Sequence, residues 1–395
     1  MSSSESSRNE SSCDSENTSG VGDFSDFDLD LNERVIDNYH FISKLGNGAY
    51  AEVWLCYNHK TDDFNAIKVQ HHDSYEEARD EVRLLRRLKS APFTSHLIES
   101  LIIKNNNKKY YGMVFPLFGN NLDNITRYKL YKKEGLPDNL VRKFLYESCL
   151  ALRYLHKKLN VIHCDIKPEN FLVSTLTTKT KKIIELYRKG DFKNRYEKIM
   201  RDNKQNDMKV RKILHKECLK NLNDLGGEYD EEDISKCDFY LSDFGGYCSI
   251  DETYNEDYGT RYYRAPENIL VSEEMDYKVD VWSLGCSVYE LLTNEILFDP
   301  EKDRRYNRDG FHLAEIFQLG RMSNNEIKTC DREKRHQYFN KDGSIKDLPN
   351  YNLSNINKRL ESLPAFWCGL LKKMLKPSYK QRISINEVLK ELERK

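Results

Sequence analysis

The chain has 395 residues, a formal net charge of −1, and 38% hydrophobic and 32% charged residues; that length predicts two or three domains at about 150 residues each, with a sizeable core. The near-zero charge argues against a uniformly basic nucleic-acid binder and against a strongly acidic disordered chain, and no stretch approaches the ~18 uncharged apolar residues of a membrane span. Ten cysteines without a Cys-x-x-Cys pair exclude a disulfide scaffold, a thioredoxin-type motif and a cysteine zinc site, and leave a reducing compartment, cytosol or nucleus, as the default.

Residues 1–31 hold ten Ser, eight Asp or Glu and one Arg, a net charge of 1 − 8 = −7. This composition predicts a disordered acidic, Ser-rich tail, because it buries too little apolar surface to offset chain entropy. No basic region followed by an apolar stretch opens the chain, so no secretory signal is expected.

From Tyr39 the pattern becomes globular. Strands are predicted at Tyr39–Leu45, Glu52–Tyr57, Phe64–Gln70, Leu97–Lys104 and Tyr110–Phe115, separated by Gly, Asn and Asp. One helix interrupts them: in Glu76–Leu88, Ala78, Val82, Leu85 and Leu88 recur at helical spacing. Glu81 falls on that inward face, and a carboxylate facing a core needs a partner.

From Leu136 the pattern turns helical. Helices are predicted at Arg142–Leu159, Lys278–Leu292, Phe311–Gly320, Leu363–Leu375 and Ile383–Arg394. A strand-rich part followed by a helical part predicts an α+β architecture of two lobes. Residues 174–236 fit neither lobe. Positions 174–225 carry fifteen Lys or Arg against seven Asp or Glu, and 226–236 are acidic. They read as a charged, weakly packed insert, partly helical.

Several strings carry chemistry. Gly46-Asn47-Gly48-Ala49-Tyr50-Ala51 lies between two predicted strands, where glycine lets backbone N–H groups approach phosphates. A tight hairpin gives the same pattern, and strand–turn–strand is wrong for a dinucleotide fingerprint. Lys68 shares a strand face with Ala66, and Glu81 follows thirteen residues later; the pair suggests an ammonium aimed at phosphates. His163-Cys164-Asp165-Ile166-Lys167-Pro168-Glu169-Asn170 gathers a base, a cation and an amide in one loop. Ser242-Asp243-Phe244-Gly245 adds a second carboxylate, and Ala265-Pro266-Glu267 and Asp280 to Cys286 follow.

Taken in this order, the strings resemble the eukaryotic protein kinases, over residues 39–173 and 237–394. The resemblance implies a bilobal protein-kinase fold, with a small β-rich N-lobe at 39–115 and a larger helical C-lobe at 116–394, interrupted by the insert. It implies transfer of the γ-phosphoryl of ATP, with Mg²⁺, to protein hydroxyls. By resemblance, Asp165 accepts the hydroxyl proton, Lys167 steadies the phosphoryl group, and Asn170 and Asp243 hold two Mg²⁺ ions. Lys68 grips the α/β-phosphates and pairs with Glu81, under the Gly46 and Gly48 backbone. Val53, Ala66 and Leu172 sandwich the adenine, with Phe115 as gatekeeper. The Pro116 C=O and the Phe118 N–H read its edge. Glu267 pairs with Arg382.

Lys167 two residues after Asp165, together with Thr260, matches the serine/threonine class. Cys164 in place of the usual Arg, and Met113-Val114-Phe115 before a Gly, are similar to the SR-protein kinase branch of the group that includes the MAP kinases. The acidic groove by which that branch grips Arg-Ser repeats is only partly present, with Glu295 kept but Phe311 and Gln318 at acid positions. Protein substrates are implied, Arg/Ser-rich ones among the candidates. No nucleic-acid or membrane partner is expected, nor more than a monomer, in cytoplasm or nucleus. The alternatives are a pseudokinase or scaffold and a small-molecule kinase. Without an Arg before Asp165, no loop phosphate is needed to neutralise it, and Asp257 stands where the related MAP kinases carry a phosphotyrosine.

Overall fold

The structure is a computed structural model that describes residues 29, 31, 35–48, 50–105, 107–127, 134–190, 194, 229, 231–251, 258–274, 276–346 and 348–394. Most of the Ser-rich leader, the centre of the insert and Asp257 lie outside the described residues.

The N-terminal lobe builds one antiparallel sheet from β1 (Val35–Ile36), β2 (Tyr39–Asn47), β3 (Ala51–Asn58), β4 (Asp63–Gln70), β5 (Glu99–Asn105) and β6 (Lys108–Pro116). Its order is β1-β2-β3-β4-β6-β5, with helix α1 (Tyr75–Arg87) between β4 and β5 in the chain. Alternation gives the sheet two apolar faces. One carries Phe41, Trp54, Cys56, Ile67 and Val69, and is covered by Leu29 and Leu31. Leu29 and Leu31, at the end of the expected tail, are instead packed, 2% and 0% exposed. The other face opens onto the cleft through Val53, Ala66 and Lys68, and its far end carries Ile42, Leu55, Tyr57 and Phe64.

The second lobe follows in chain order with α2 (Leu122–Thr126), α3 (Asp138–Tyr154), β7 (Val161–Ile162), β8 (Phe171–Val173), α4 (Thr178–Lys189) and α5 (Glu231–Lys236). Next come β9 (Phe239–Leu241), β10 (Cys248–Ser249), α6 (Pro266–Ile269), α7 (Lys278–Thr293) and α8 (Arg308–Ile316). The chain ends with α9 (Asn324–Lys328), α10 (Arg332–Tyr338), α11 (Ile356–Glu361), α12 (Ala365–Met374) and α13 (Ile385–Glu393). Phe144 and Leu145 of α3, Trp282 and Leu284 of α7, and Trp367 of α12 form the core of this lobe. The helix predicted at Phe311–Gly320 starts earlier, at Arg308, because the Asn307 side chain caps it by accepting the Gly310 N–H at 2.9 Å.

The insert is not weakly packed along its first helix. Thr177 caps α4 through the Thr180 N–H, and α4 buries Ile183 and Tyr187 against Ile42, Leu55, Tyr57 and Phe64. Because α4 leaves the helical lobe after β8 and packs on the sheet, it is a strut between the lobes. The insert also closes on itself. The Ser174 N–H donates to the Asp238 carbonyl and the Asp238 N–H to Ser174 Oγ, each at 2.9 Å. A loop pinned at its base costs little more as it lengthens. On the return, the Tyr229 hydroxyl accepts the Asn120 N–H at 2.8 Å, and Ile234 and Cys237 join the helical core.

Candidate active site

The loop between β7 and β8 places Asp165, Lys167 and Asn170 together. Asp165 Oδ1 accepts the backbone N–H of Thr260 at 2.9 Å and its hydroxyl at 2.8 Å. Lys167 Nζ stands 3.0 Å from Asp165 Oδ2 and donates to Thr260 Oγ1 at 2.6 Å. Asn170 Nδ2 donates to the Asp165 carbonyl at 2.8 Å and to Oδ2 at 3.0 Å, which leaves its amide oxygen as the remaining acceptor. Burial alone would raise the Asp165 pKa. The Lys167 ammonium and the Thr260 hydrogen bonds reverse that and hold it below the usual carboxylate range. Asp165 is therefore ionised at neutral pH.

This loop is held by a residue the sequence reading left without a role. Asp280 is fully buried at the start of α7. Its carboxylate accepts the N–H groups of His163 at 2.9 Å and Cys164 at 3.0 Å, and meets His156 Nε2 at 2.8 Å. Cys164 has φ +70°, an uncommon backbone state that needs such support. Gly259, at φ +75°, passes so close that a Cβ there would lie 2.2 Å from the Cys164 carbonyl oxygen. Only glycine lets Thr260 reach Asp165.

On the other wall, Lys68 Nζ is 3.1 Å from both Glu81 carboxylate oxygens and 3.0 Å from Asp243 Oδ1. The inward Glu81 expected from helical periodicity thus has its partner. Burial works against the Lys68 ammonium, but Asp243 and Glu81 outweigh it and hold its pKa above normal. The same ammonium keeps the Asp243 carboxyl below its usual range. Asp243 stands at φ +59° and is exposed to the cleft, while the next side chain, Phe244, is fully buried beside His163. One loop conformation therefore points the carboxylate into the cleft and the ring into the core.

The residues expected around adenine also come together. Phe115 and Pro116 end β6 opposite Ala66 and Asn65, and Val53 pairs with Lys68 across β3 and β4. Leu172 pairs with Tyr240 in the β8–β9 ladder, and the Phe118 ring lies 4.7 Å from the Tyr240 ring. Val53, Ala66, Phe115, Pro116, Phe118 and Leu172 are all half-buried. At Gly46 and Gly48 a Cβ would meet protein no closer than 3.5 Å. The protein's own packing does not demand glycine there. Among the remaining pairs, Glu267 and Arg382 form a buried two-pronged ion pair at 2.6 and 2.9 Å, as expected.

The protein kinase domain family matches residues 39–196 and 206–392. The serine/threonine-protein kinase SRPK of Physarum polycephalum is 30% identical over 335 residues, spanning 81% of this chain and 76% of that protein. The protein kinase dsk1 of Schizosaccharomyces pombe is 24% identical over 387 residues, spanning 77% and 70%. A solved kinase-domain crystal structure superposes with a TM-score of 0.66 over 93% of this chain and 98% of that one; at 21% identity it speaks for the fold alone. With the cleft geometry, these similarities settle the class: the chain belongs to the protein kinase domain family and is a serine/threonine protein kinase of the branch that contains the SR-protein kinases.

Proposed function

We propose that this kinase phosphorylates Ser and Thr hydroxyls of protein substrates, with Asp165 taking the hydroxyl proton. The family uses ATP with Mg²⁺. The observation that carries the reading is the fixing of the Asp165 carboxylate by Thr260, Lys167 and Asn170. The substrate oxygen bonds to the γ-phosphorus, the bond to the β–γ bridging oxygen breaks, and the proton passes to Asp165. Lys167 neutralises charge gathering on the transferred group, and Lys68 orients the α/β-phosphates. Asp243 and Asn170 offer oxygen donors, a set suited to Mg²⁺; they would hold it, and its charge would neutralise that of the phosphates. Asp165→Asn should slow single-turnover phosphotransfer about 10²–10⁴-fold with ATP affinity preserved. A near-wild-type rate would remove Asp165 from this role.

The SR-protein-kinase branch makes Arg/Ser-rich proteins the first substrates to test. The groove positions favour a different preference. Glu295 is already paired with Arg359 at 3.1 Å, Phe311 is buried, and the Gln318 amide binds the Ser354 carbonyl and the Ile356 N–H. We read the substrates as Ser/Thr proteins selected without that acidic groove. A peptide-library screen enriched in Arg-Ser repeats would overturn this. We further propose a monomer acting in cytoplasm or nucleus on protein partners, without direct nucleic-acid contact. The net charge of −1 supports the last point. Among the described residues, no helix is long and apolar enough to cross a membrane.

A further inference from the structure

We propose that His71, His72 and Asp73, on the short connection from β4 to α1, form a transition-metal site of the zinc class. One ligand atom from each residue lies within 4.8 Å of the other two. His71 Nδ1 is 3.4 Å from Asp73 Oδ2, and His72 Nε2 is 3.2 Å from Asp73 Oδ1. Zinc bonds of ~2.1 Å in a tetrahedron put neighbouring ligands about 3.4 Å apart. Each imidazole already stands near that spacing from one Asp73 oxygen, a different one for each, so a small carboxylate rotation would complete the set. The two imidazoles lie 4.2 Å apart by ring centroid, and the Tyr110 ring flanks both.

The chemistry of the donors selects the metal. Two imidazoles and one carboxylate suit Zn²⁺, Ni²⁺ or Cu²⁺, whereas Mg²⁺ takes oxygen ligands. This site is thus separate in kind from the Asp243 and Asn170 pair. Exposure is graded: His71 is buried, His72 half-buried, and Asp73 exposed. A bound ion would have protein on one side and water in its fourth position. His71 Nδ1 accepts the Asp73 N–H at 3.4 Å, at the outer limit of a hydrogen bond, and metal binding at this nitrogen would replace that bond.

The location gives the site a consequence. It begins three residues after Lys68 and ends eight before Glu81. The His71 N–H also donates to the Tyr50 carbonyl in the glycine loop at 2.8 Å. A metal here would fix the entry to α1 and so support the Lys68–Glu81 pair.

The full chain, stripped with a chelator, is titrated with Co²⁺ alone and then Zn²⁺. We expect one equivalent of Co²⁺ to give the visible bands of a tetrahedral nitrogen–oxygen site, without the near-ultraviolet thiolate bands that a cysteine site would show. Zn²⁺ should abolish them, and a large excess of Mg²⁺ should not. His72→Ala and the near-isosteric Asp73→Asn, each checked for folding by circular dichroism, should weaken binding by more than the ~10–100-fold that loss of an outer-shell partner costs. Absence of the bands in the wild type, or their persistence in folded Asp73→Asn and His72→Ala, would overturn the proposal.

Discussion

Tyr187 of the insert meets Phe64 of the sheet edge to face, with ring centroids 6.0 Å apart and planes at 85°. Tyr57 completes the group, 5.2 Å from Phe64 and 6.2 Å from Tyr187. Aromatic pairs of this kind add to the burial of their area. The contact joins a helix rooted in one lobe to the sheet of the other. Tyr187→Ala should lower unfolding stability by about 3 kcal/mol. Chemical denaturation measures this; an unchanged midpoint would show that α4 is dispensable. Replacing only residues 191–228 by a short linker should leave peptide phosphorylation within about fivefold, roughly 1 kcal/mol in barrier. Complete loss of activity in a folded protein would make that segment catalytic.

Cys164 is 4% exposed and packs with Ile162, Cys248 and Val279. Its neighbourhood is apolar, and the nearby Asp280 carboxylate is satisfied by backbone N–H groups and His156. Among the described residues, this cluster holds no cation that a loop phosphate would have to neutralise. Phosphatase-treated protein, checked by mass spectrometry, should keep most of its peptide-kinase activity. A fall to background would show that the activation loop needs phosphate despite Cys164. Cys164→Arg should lower activity at least about tenfold, since it puts an unpaired charge into an apolar cluster.

The parts of the site legible in the sequence were those carried by local spacing. Glu81 reads as inward because helical periodicity fixes its face, and Lys68 because strand alternation fixes its own. Asp280 was visible as part of a string, but its partners His156, His163 and Cys164 lie more than a hundred residues earlier, and no local pattern announces them. Ile183 and Tyr187 stand four apart on α4, a helical signal masked by the lysines around them. Leu29 and Leu31 alternate with Asp28 and Asp30, a strand-like period hidden by the strong acidity of the leader. In both cases charge composition, a property of whole segments, outweighed the two apolar side chains that decide packing.

His312 on α8 is fully buried against Phe298, and neither ring nitrogen has a hydrogen-bond partner among the described residues. Burial, with the Arg261 and Arg264 charges, lowers its pKa to about 3 against the opposing pull of Asp309. Below pH ~6.5 the unfolded chain takes up a proton on this residue that the folded chain refuses. Stability therefore falls with pH through this window, by about 1.4 kcal/mol per unit. Between pH 7 and 5 the wild type should lose about 2 kcal/mol more than His312→Leu. Urea denaturation at both pH values measures the difference; equal losses would contradict a neutral, buried His312.

The central claim is that Lys68, Asp165 and Asp243 form one phosphotransfer site. Its most direct measurement is transfer of labelled γ-phosphate from ATP to a mixed library of Ser, Thr and Tyr peptides, with Lys68→Met and Asp243→Asn run beside the wild type. The expected result is label on Ser and Thr peptides for the wild type, and less than about a hundredth of that rate for either variant while each stays folded. More than a tenth of wild-type activity in either folded variant, or no transfer by the wild type to any peptide, would contradict the account.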